Sequence, residues 1–280
     1  MRKDLPRFLA LCAGLLAVAL CGNCRAADAT IRINGSGSAL DLMQPLVKAY
    51  QKANPSASVA MEKPLGSSGA LKALLAGALD LVAASRQLKP EETAKGAQLR
   101  KYGRTPQAIV THKGVPKQDI TTRELEEIYS GTSTKWSNGE NIRLVLRPKE
   151  DIDTAILRAL SPGMATSLAA AMARPGMVVA VTDQEAYAAV SKTAGGLGTT
   201  GLTSIITQKL ALNVLSLNGV KPTLRSLASG GYPLSKEISF VTVPGTSPAA
   251  LKFLDFVYSR QGRHIAEKAG VLITADSAKQ

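Results

Sequence analysis

The feature that most constrains this chain is its alternation of short apolar segments with segments of helical periodicity. Each apolar segment spans four to seven residues, the length of a buried strand. Between two of them, Met43, Leu46, Val47 and Tyr50 recur at helical spacing. Strands that alternate with helices predict an α/β fold with largely parallel sheets. The predicted strands lie at residues 30–33, 58–61, 79–85, 107–112, 142–147, 177–182, 212–217 and 238–243.

Several helix ends are marked by local signals. Capping boxes at Thr121–Glu124 and Thr182–Glu185 predict helix starts, because each side chain can satisfy a free backbone N–H of the first turn. A further helix is predicted over residues 248–270, with a proline in its first turn and a glycine at its end. Pro45 fits poorly deep inside a helix, so the helix that contains it is predicted to begin near Leu42.

The N-terminal residues have the pattern of a secretory signal peptide. Three basic residues within positions 2–7 precede an apolar segment at 8–20, and small residues suited to a cleavage site follow. The apolar segment is too short to span a bilayer comfortably, which disfavours a retained anchor. We therefore predict that residues 1–26 are removed and that the protein is periplasmic. Attachment of a lipid at Cys21 remains an open alternative.

Composition excludes several classes of protein. All three cysteines, Cys12, Cys21 and Cys24, lie in the predicted signal peptide, so no disulfide or thiolate site is expected after it. Removing that segment leaves 30 basic and 20 acidic residues, a net charge of +10. A basic protein attracts anions, but basic residues form no long run and aromatic residues are few, so nucleic acid is not an expected partner.

Signatures of an enzyme are weak. His112 and His264 are the only histidines, and their separation matches no metal-binding motif. The chain contains neither a nucleophile elbow nor a phosphate loop. Residues 196–201 match the glycine spacing of a dinucleotide-binding turn but lack its context. We predict no catalytic residues, no metal and no cofactor.

Three turns combine glycine, serine and arginine near predicted strand ends. They lie at residues 33–41, 66–69 and 84–86, and Arg147 ends a fourth strand. Free N–H groups at helix starts, hydroxyls and guanidinium groups all favour a bound anion, and ligands of α/β sheets bind beyond the carboxyl ends of strands. The alternative is that these are ordinary turns and that Arg86 pairs with a nearby glutamate.

Five segments in order resemble the exported phosphate-binding proteins of ABC transporters, in the periplasmic binding protein superfamily. The segments are residues 34–59, 66–92, 120–136, 195–202 and 231–241. The first contains the first glycine–serine loop, and the second contains the Ser-Arg strand end. The fourth is similar to a Gly-x-Ile-Gly-Tyr turn of the family, and the fifth is similar to its Tyr-Pro-Leu-x-Arg strand.

The resemblance implies two α/β sandwich lobes joined by two crossover strands, with a ligand cleft between them. Lobe 1 would comprise residues 27–111 and 215–280, and lobe 2 residues 112–214. The resemblance implies a monomer that binds inorganic phosphate or a similar oxyanion and delivers it to a membrane permease, without catalysis. The implied ligand-binding residues are Gly37, Ser38, Ala39, Ser67, Ser68, Ser85, Arg86, Arg147, Asp153 and Thr154.

The sequence departs from the family at two places. Ala39 stands where the family has threonine, which removes one hydroxyl. The family follows its cleft arginine with Ser-Gly-Thr, whereas Arg147 is followed by a longer segment, "PKEDIDT", in which only Thr154 is retained. Asp153 could repel an ionised oxyanion, or it could accept a proton from hydrogen phosphate and so reject sulfate. A third possibility is that Asp151 or Asp153 merely caps the following helix. Two other functions therefore stay open: binding of a different ligand, or a sensor or interaction module with weak or no anion affinity.

Overall fold

A computed structural model of the chain describes residues 30–274, so the predicted signal peptide lies outside the described residues. The strands are β1 (Ile31–Gly35), β2 (Val59–Met61), β3 (Leu81–Ala84), β4 (Gln98–His112), β5 (Asp119–Ile120), β6 (Arg143–Leu146), β7 (Val178–Val179), β8 (Gly196–Gly201), β9 (Leu212–Val214), β10 (Ser216–Leu217), β11 (Ser235–Thr242) and β12 (Leu272–Ile273). The helices are α1 (Gly37–Ala53), α2 (Gly66–Leu75), α3 (Pro90–Ala94), α4 (Thr122–Ser130), α5 (Ile152–Arg158), α6 (Pro162–Ala173), α7 (Asp183–Lys192), α8 (Leu202–Thr207), α9 (Leu224–Ala228), α10 (Pro248–Tyr258) and α11 (Arg260–Lys268).

One long strand connects the two halves of the molecule. The main sheet has the order β2-β1-β3-β11-β4-β8-β6-β7, and β9 and β12 also pair with β4. Residues 98–106 of β4 pair with β11, and residues 107–111 pair with β8. We call the half that contains β1, β2, β3 and β11 lobe 1, and the half that contains β6, β7 and β8 lobe 2. The predicted α/β fold is confirmed.

Strand direction differs from the prediction of largely parallel sheets. The outer strands of each lobe are parallel, as β1 is to β2 and β3, and β6 to β7 and β8. Every pair that involves β4 or β11 is antiparallel. The reason is topological, because β4 carries the chain out of lobe 1 and β11 brings it back in the opposite direction.

Each lobe has its own apolar core. In lobe 1, α1, α10 and α11 pack on the sheet, and Tyr102, Phe240 and Tyr258 meet edge to face with ring centroids 5.2–5.9 Å apart. The main cluster of lobe 2 includes Trp136 and also four buried side chains between residues 215 and 234. The sequence-based boundary at residue 214 stays a prediction, and this packing favours a second crossing nearer residue 235.

Three local predictions were wrong. Helix α1 begins at Gly37 with Pro45 inside it, because burial of its first turns in the lobe 1 core outweighs the hydrogen bond that proline removes. The predicted helix at 248–270 is divided at Ser259, whose hydroxyl donates to the carbonyl of α10 and accepts from the first turn of α11. Residues 196–201 form the buried strand β8 rather than a turn.

Candidate functional site

A cleft of about 270 Å³ lies where the two lobes meet, beyond the carboxyl ends of β1 and β3. Lobe 1 contributes the starts of α1 and α2, and lobe 2 contributes the ends of the loops before α5 and α7. Five of the ten sequence-predicted site residues line it: Gly37, Ser67, Ser68, Arg86 and Arg147.

The lobe 1 wall is built from two helix starts that have no side-chain cap. Ser36 and Leu65 are the N-cap residues of α1 and α2, and neither side chain accepts a hydrogen bond from its helix. The Ser36 hydroxyl instead lies 2.6 Å from that of Ser85. First-turn N–H groups at both helices therefore receive no bond from their own N-cap side chains, and both helix dipoles favour a negatively charged partner.

The predicted serines of this wall bind neighbouring protein groups. The Ser67 Oγ accepts a bond from the Ser85 backbone N–H at 2.9 Å, and the Ser68 Oγ accepts from Arg86 Nε at 3.1 Å. Both terminal nitrogens of Arg86 also donate hydrogen bonds to the carboxylate oxygens of Glu92, at 2.8 and 2.6 Å. This pairing lowers the pKa of Glu92 to about 2. Arg86 thus lines the cleft as half of an ion pair, as the alternative interpretation proposed.

On the lobe 2 wall, Arg147 lies at the end of β6 and is almost fully buried. Its Nη2 pairs with Asp151 Oδ2 at 2.8 Å and lies 3.7 Å from Asp183 Oδ2. Its Nη1 donates to the carbonyl oxygen of Ala180 at 3.1 Å. The guanidinium group is therefore held rigidly at the cleft, but it already faces carboxylates of its own chain.

The segment after Arg147 places its two aspartates differently. Asp151 is the N-cap of α5, and its Oδ1 accepts the Asp153 backbone N–H at 2.9 Å. Asp153 does not line the cleft but is completely buried, with Oδ1 2.5 Å from Lys236 Nζ. The Thr154 hydroxyl donates to the carbonyl oxygen of Arg147 at 3.2 Å. The capping hypothesis thus holds for Asp151, whereas the Asp153 carboxylate lies behind the wall of the cleft.

A buried charge cluster lies at the centre, and sequence reasoning missed two of its members. Lys236 on β11 is fully buried between Asp153 and Asp183, with Nζ 2.6 Å from Asp183 Oδ1. The Ser38 hydroxyl, also fully buried, donates to the same Asp183 oxygen at 2.9 Å. Two signals could have found Lys236 and Asp183: a lysine that alternates with the apolar Ile238 and Phe240 on one face of β11, and an acid at the first position of a capping-box helix.

The pKa values of the two buried acids of the cluster, Asp153 and Asp183, are shifted in opposite directions. Burial would raise the pKa of Asp183, but Lys236 and Arg147 outweigh that and hold it below its ordinary value. Burial raises the pKa of Asp153, and the attraction of Lys236 only partly offsets it. Asp183 is therefore the firmly ionised carboxylate of the cluster.

The other predicted residues lie just behind the cleft. Ser38, Ala39 and Ser85 are buried at the carboxyl ends of the lobe 1 strands, and Thr154 is buried in lobe 2. Within residues 30–274, no three histidine, aspartate, glutamate or cysteine side chains are grouped as metal ligands. Over the same residues, no helix combines the length and apolar character needed to cross a membrane.

The fold and this cleft define a binding protein of two lobes. Residues 25–261 match the family model of the PBP superfamily domain, so the chain belongs to that family. The sequence-based resemblance to phosphate-type members is confirmed by the relatives that the chain matches.

Two curated relatives and one solved structure illustrate the similarity. The chain is 30% identical over 106 residues to phosphate-binding protein PstS 2 of Streptococcus agalactiae, a match that spans 38% of this chain and 36% of that relative. It is 24% identical over 271 residues to phosphate-binding protein PstS of Borreliella burgdorferi, spanning 92% of this chain and 95% of that one. A phosphate ABC transporter substrate-binding protein with bound phosphate from Clostridium perfringens superposes with a TM-score of 0.75 at 21% identity, over 88% of this chain and 99% of that one, which confirms the two-lobed fold.

Proposed function

We propose that this chain is an exported solute-binding protein that captures inorganic phosphate in its cleft for an ABC transporter. Its membership of the PBP superfamily supports binding rather than catalysis. The names of its relatives, which include phosphate-binding proteins along nearly the whole chain, support phosphate as the ligand.

One observation carries the proposal: two helix starts without side-chain caps and one buried arginine converge on the same small cleft. The N–H groups of α1 and α2 can bind oxyanion oxygens from lobe 1, and Arg147 can bind them from lobe 2. An anion held from both sides favours closure of the lobes, because contacts to both walls exist only in the closed form.

The proposed function also includes export of the protein and delivery of the anion to a membrane permease. The N-terminal pattern of basic residues followed by an apolar segment supports release into the periplasm. A permease in the membrane would then take up the anion from the loaded, monomeric protein.

Calorimetry on residues 27–280, freed of bound anion by unfolding and refolding, tests the ligand. We expect phosphate to bind with about micromolar affinity or tighter, near −8 kcal/mol, with sulfate much weaker. Arsenate and molybdate extend the series of tetrahedral anions. A folded protein that releases no heat with any of the four would contradict the proposal.

The alternative is a sensor or interaction module with weak or no anion affinity. The observation that favours it is the set of carboxylates that already surround Arg147, since they weaken its attraction for a second anion. In that case the same calorimetry gives no heat, and the protein should instead be recovered in complex with a membrane partner.

A further inference from the structure

The Asp183 carboxylate is surrounded by the groups that an oxyanion would need. Its Oδ1 accepts from Ser38 Oγ at 2.9 Å and from Lys236 Nζ at 2.6 Å, and its Oδ2 lies 3.7 Å from Arg147 Nη2. It lies against the first turn of α1 so closely that a Cβ on Gly37 would be 2.6 Å from Oδ2. A hydroxyl, an ammonium, a guanidinium and a helix start thus converge on this carboxylate.

We infer that Asp183 is an internal ligand of the cleft. Its carboxylate occupies the anion position at the start of α1, holds the two lobes together when no anion is bound, and has to leave before phosphate can take that position. The competition with phosphate rests on the proposed function, whereas the contact between the lobes does not.

The contact joins the two lobes directly. Ser38 belongs to α1, which packs in the lobe 1 core, and Asp183 opens α7, which packs on the lobe 2 strands. The neighbouring Gln184 adds two bonds from its Nε2, to the carbonyl oxygen of Gly37 at 3.2 Å and to Asp41 Oδ1 at 3.0 Å. The starts of two helices therefore face each other, and the negative charge of Asp183 offsets the repulsion between their positive ends.

The charges that face Asp183 explain why an outside anion must displace it. Lys236 and Arg147 are the two cations at this point, and they are shared among Asp151, Asp153 and Asp183. With all five ionised, the cluster already has one more negative than positive charge. A phosphate placed beside Asp183 would meet like charge at short range in a buried region, where repulsion is strong. A phosphate that replaces Asp183 would gain the same donors without that repulsion.

The test compares Asp183→Ala with Asp153→Ala. The pair is matched, since both carboxylates are buried and lie 2.6 and 2.5 Å from Lys236, but of the two only Asp183 has a described hydrogen bond to α1. Cysteine labels at the exposed residues Lys72 in lobe 1 and Arg123 in lobe 2 report the separation of the lobes by pulsed electron paramagnetic resonance. Residues 27–280 contain no cysteine, so the labels are unique.

Without anion, we expect a longer label distance in Asp183→Ala than in the unsubstituted protein, and a smaller increase in Asp153→Ala, which loses its contact with Lys236 but none with α1. We expect Asp183→Ala to bind inorganic phosphate at least tenfold more tightly in calorimetry, and phosphate to restore the short distance. A folded Asp183→Ala variant with the original label distance and no gain in phosphate affinity would overturn the inference. If neither protein binds phosphate but the label distance grows, the proposed function fails while the internal contact is supported.

A second variant guards against loss of folding in Asp183→Ala. Gly37→Ala removes no charge, but its Cβ would displace the Asp183 side chain from α1. We expect it to lengthen the label distance as well, and an unchanged distance in this variant would also overturn the inference.

Discussion

The lobe 1 wall of the cleft presents the starts of α1 and α2, whose N-cap side chains make no bond to their helices, whereas the lobe 2 wall presents the starts of α5 and α7, which are capped by Asp151 and Thr182. The N-cap side chains of the first wall accept no first-turn N–H group, whereas those of the second wall accept one in each helix, from Asp153 and from Glu185. Two walls built from the same type of element, a loop followed by a helix, thus differ in what they leave open to a ligand.

The acidic side chains are also distributed unequally between the two walls of the cleft. The acids that face the cleft and its central cluster come mainly from lobe 2, in the segment after Arg147 and at the start of α7. Lys236 lies between the walls and neutralises part of this charge from β11. Lobe 1 is thus arranged to receive an anion, whereas lobe 2 supplies internal ones.

The largest effect is expected when the cation between the walls is removed. Lys236→Met leaves Asp153 and Asp183 buried without their shared partner, which should cost about 3–5 kcal/mol of unfolding free energy. Urea denaturation measures the loss. Lys48→Met, on the exposed side of α1, is the control and should change stability little. A loss below about 1 kcal/mol in Lys236→Met would show that the cluster does not depend on this charge.

The unfolding free energy should depend on pH through Asp41, an acid of lobe 1 that interacts with the ionised Asp183. Burial raises the pKa of Asp41 to about 6 from an ordinary value of 3.8, with Asp183 adding repulsion and Lys236, Gln184 and Ser204 opposing the shift. The folded state therefore holds this proton more tightly, and the contribution of Asp41 to stability is lost as pH rises from about 4 to 6. Over that range the loss should reach up to about 3 kcal/mol.

Asp41→Asn cannot undergo this titration, so its stability relative to the unsubstituted protein should improve as pH rises from 4 to 7. Unfolding free energies of both proteins at several pH values give the difference, in which the titration of Asp153 largely cancels. A difference that is constant with pH would mean that the folded protein does not shift the pKa of Asp41.

The arginine of lobe 2 should be needed for anion binding in spite of its carboxylate neighbours. Arg147→Ala is expected to weaken phosphate binding by ~1.5–3 kcal/mol, the range for hydrogen bonds to charged groups. Calorimetry measures the change. Arg143→Ala is the matched control, because Arg143 lies on the same strand but is exposed. Equal affinities of Arg147→Ala and the unsubstituted protein would remove Arg147 from the site.

The smallest effect is expected from weakening the negative charge of the lobe 2 wall at its surface. Asp151→Asn keeps an N-cap for α5 but frees Arg147 from an ion pair at 2.8 Å, so phosphate affinity should rise by ~0.2–1 kcal/mol. Glu150→Gln, which removes a charge from the same loop and for which no ion pair is found within residues 30–274, serves as the comparison. Weaker phosphate binding in Asp151→Asn would mean that this ion pair orients Arg147 rather than competing for it.

Much of the local structure was predictable from the sequence. All eight predicted strand segments contain strands, and the boxes at Thr121 and Thr182 cap α4 and α7. The position of Arg147 at a strand end next to the cleft was also predictable. These features depend on neighbours within a few residues, so their signals survive in a single sequence.

The chain by itself determined where the eight predicted strands form, where α4 and α7 begin, and that Arg147 directly follows β6. Tertiary structure decided which groups the hydrogen-bond donors of the cleft contact. Ser38 and Asp183 are 145 positions apart, and Asp183 and Lys236 are 53 apart, yet all three share one buried cluster. No local pattern encodes such a contact, because it arises only when β4 and β11 bring two lobes together and the cost of burying each charge is offset by the others.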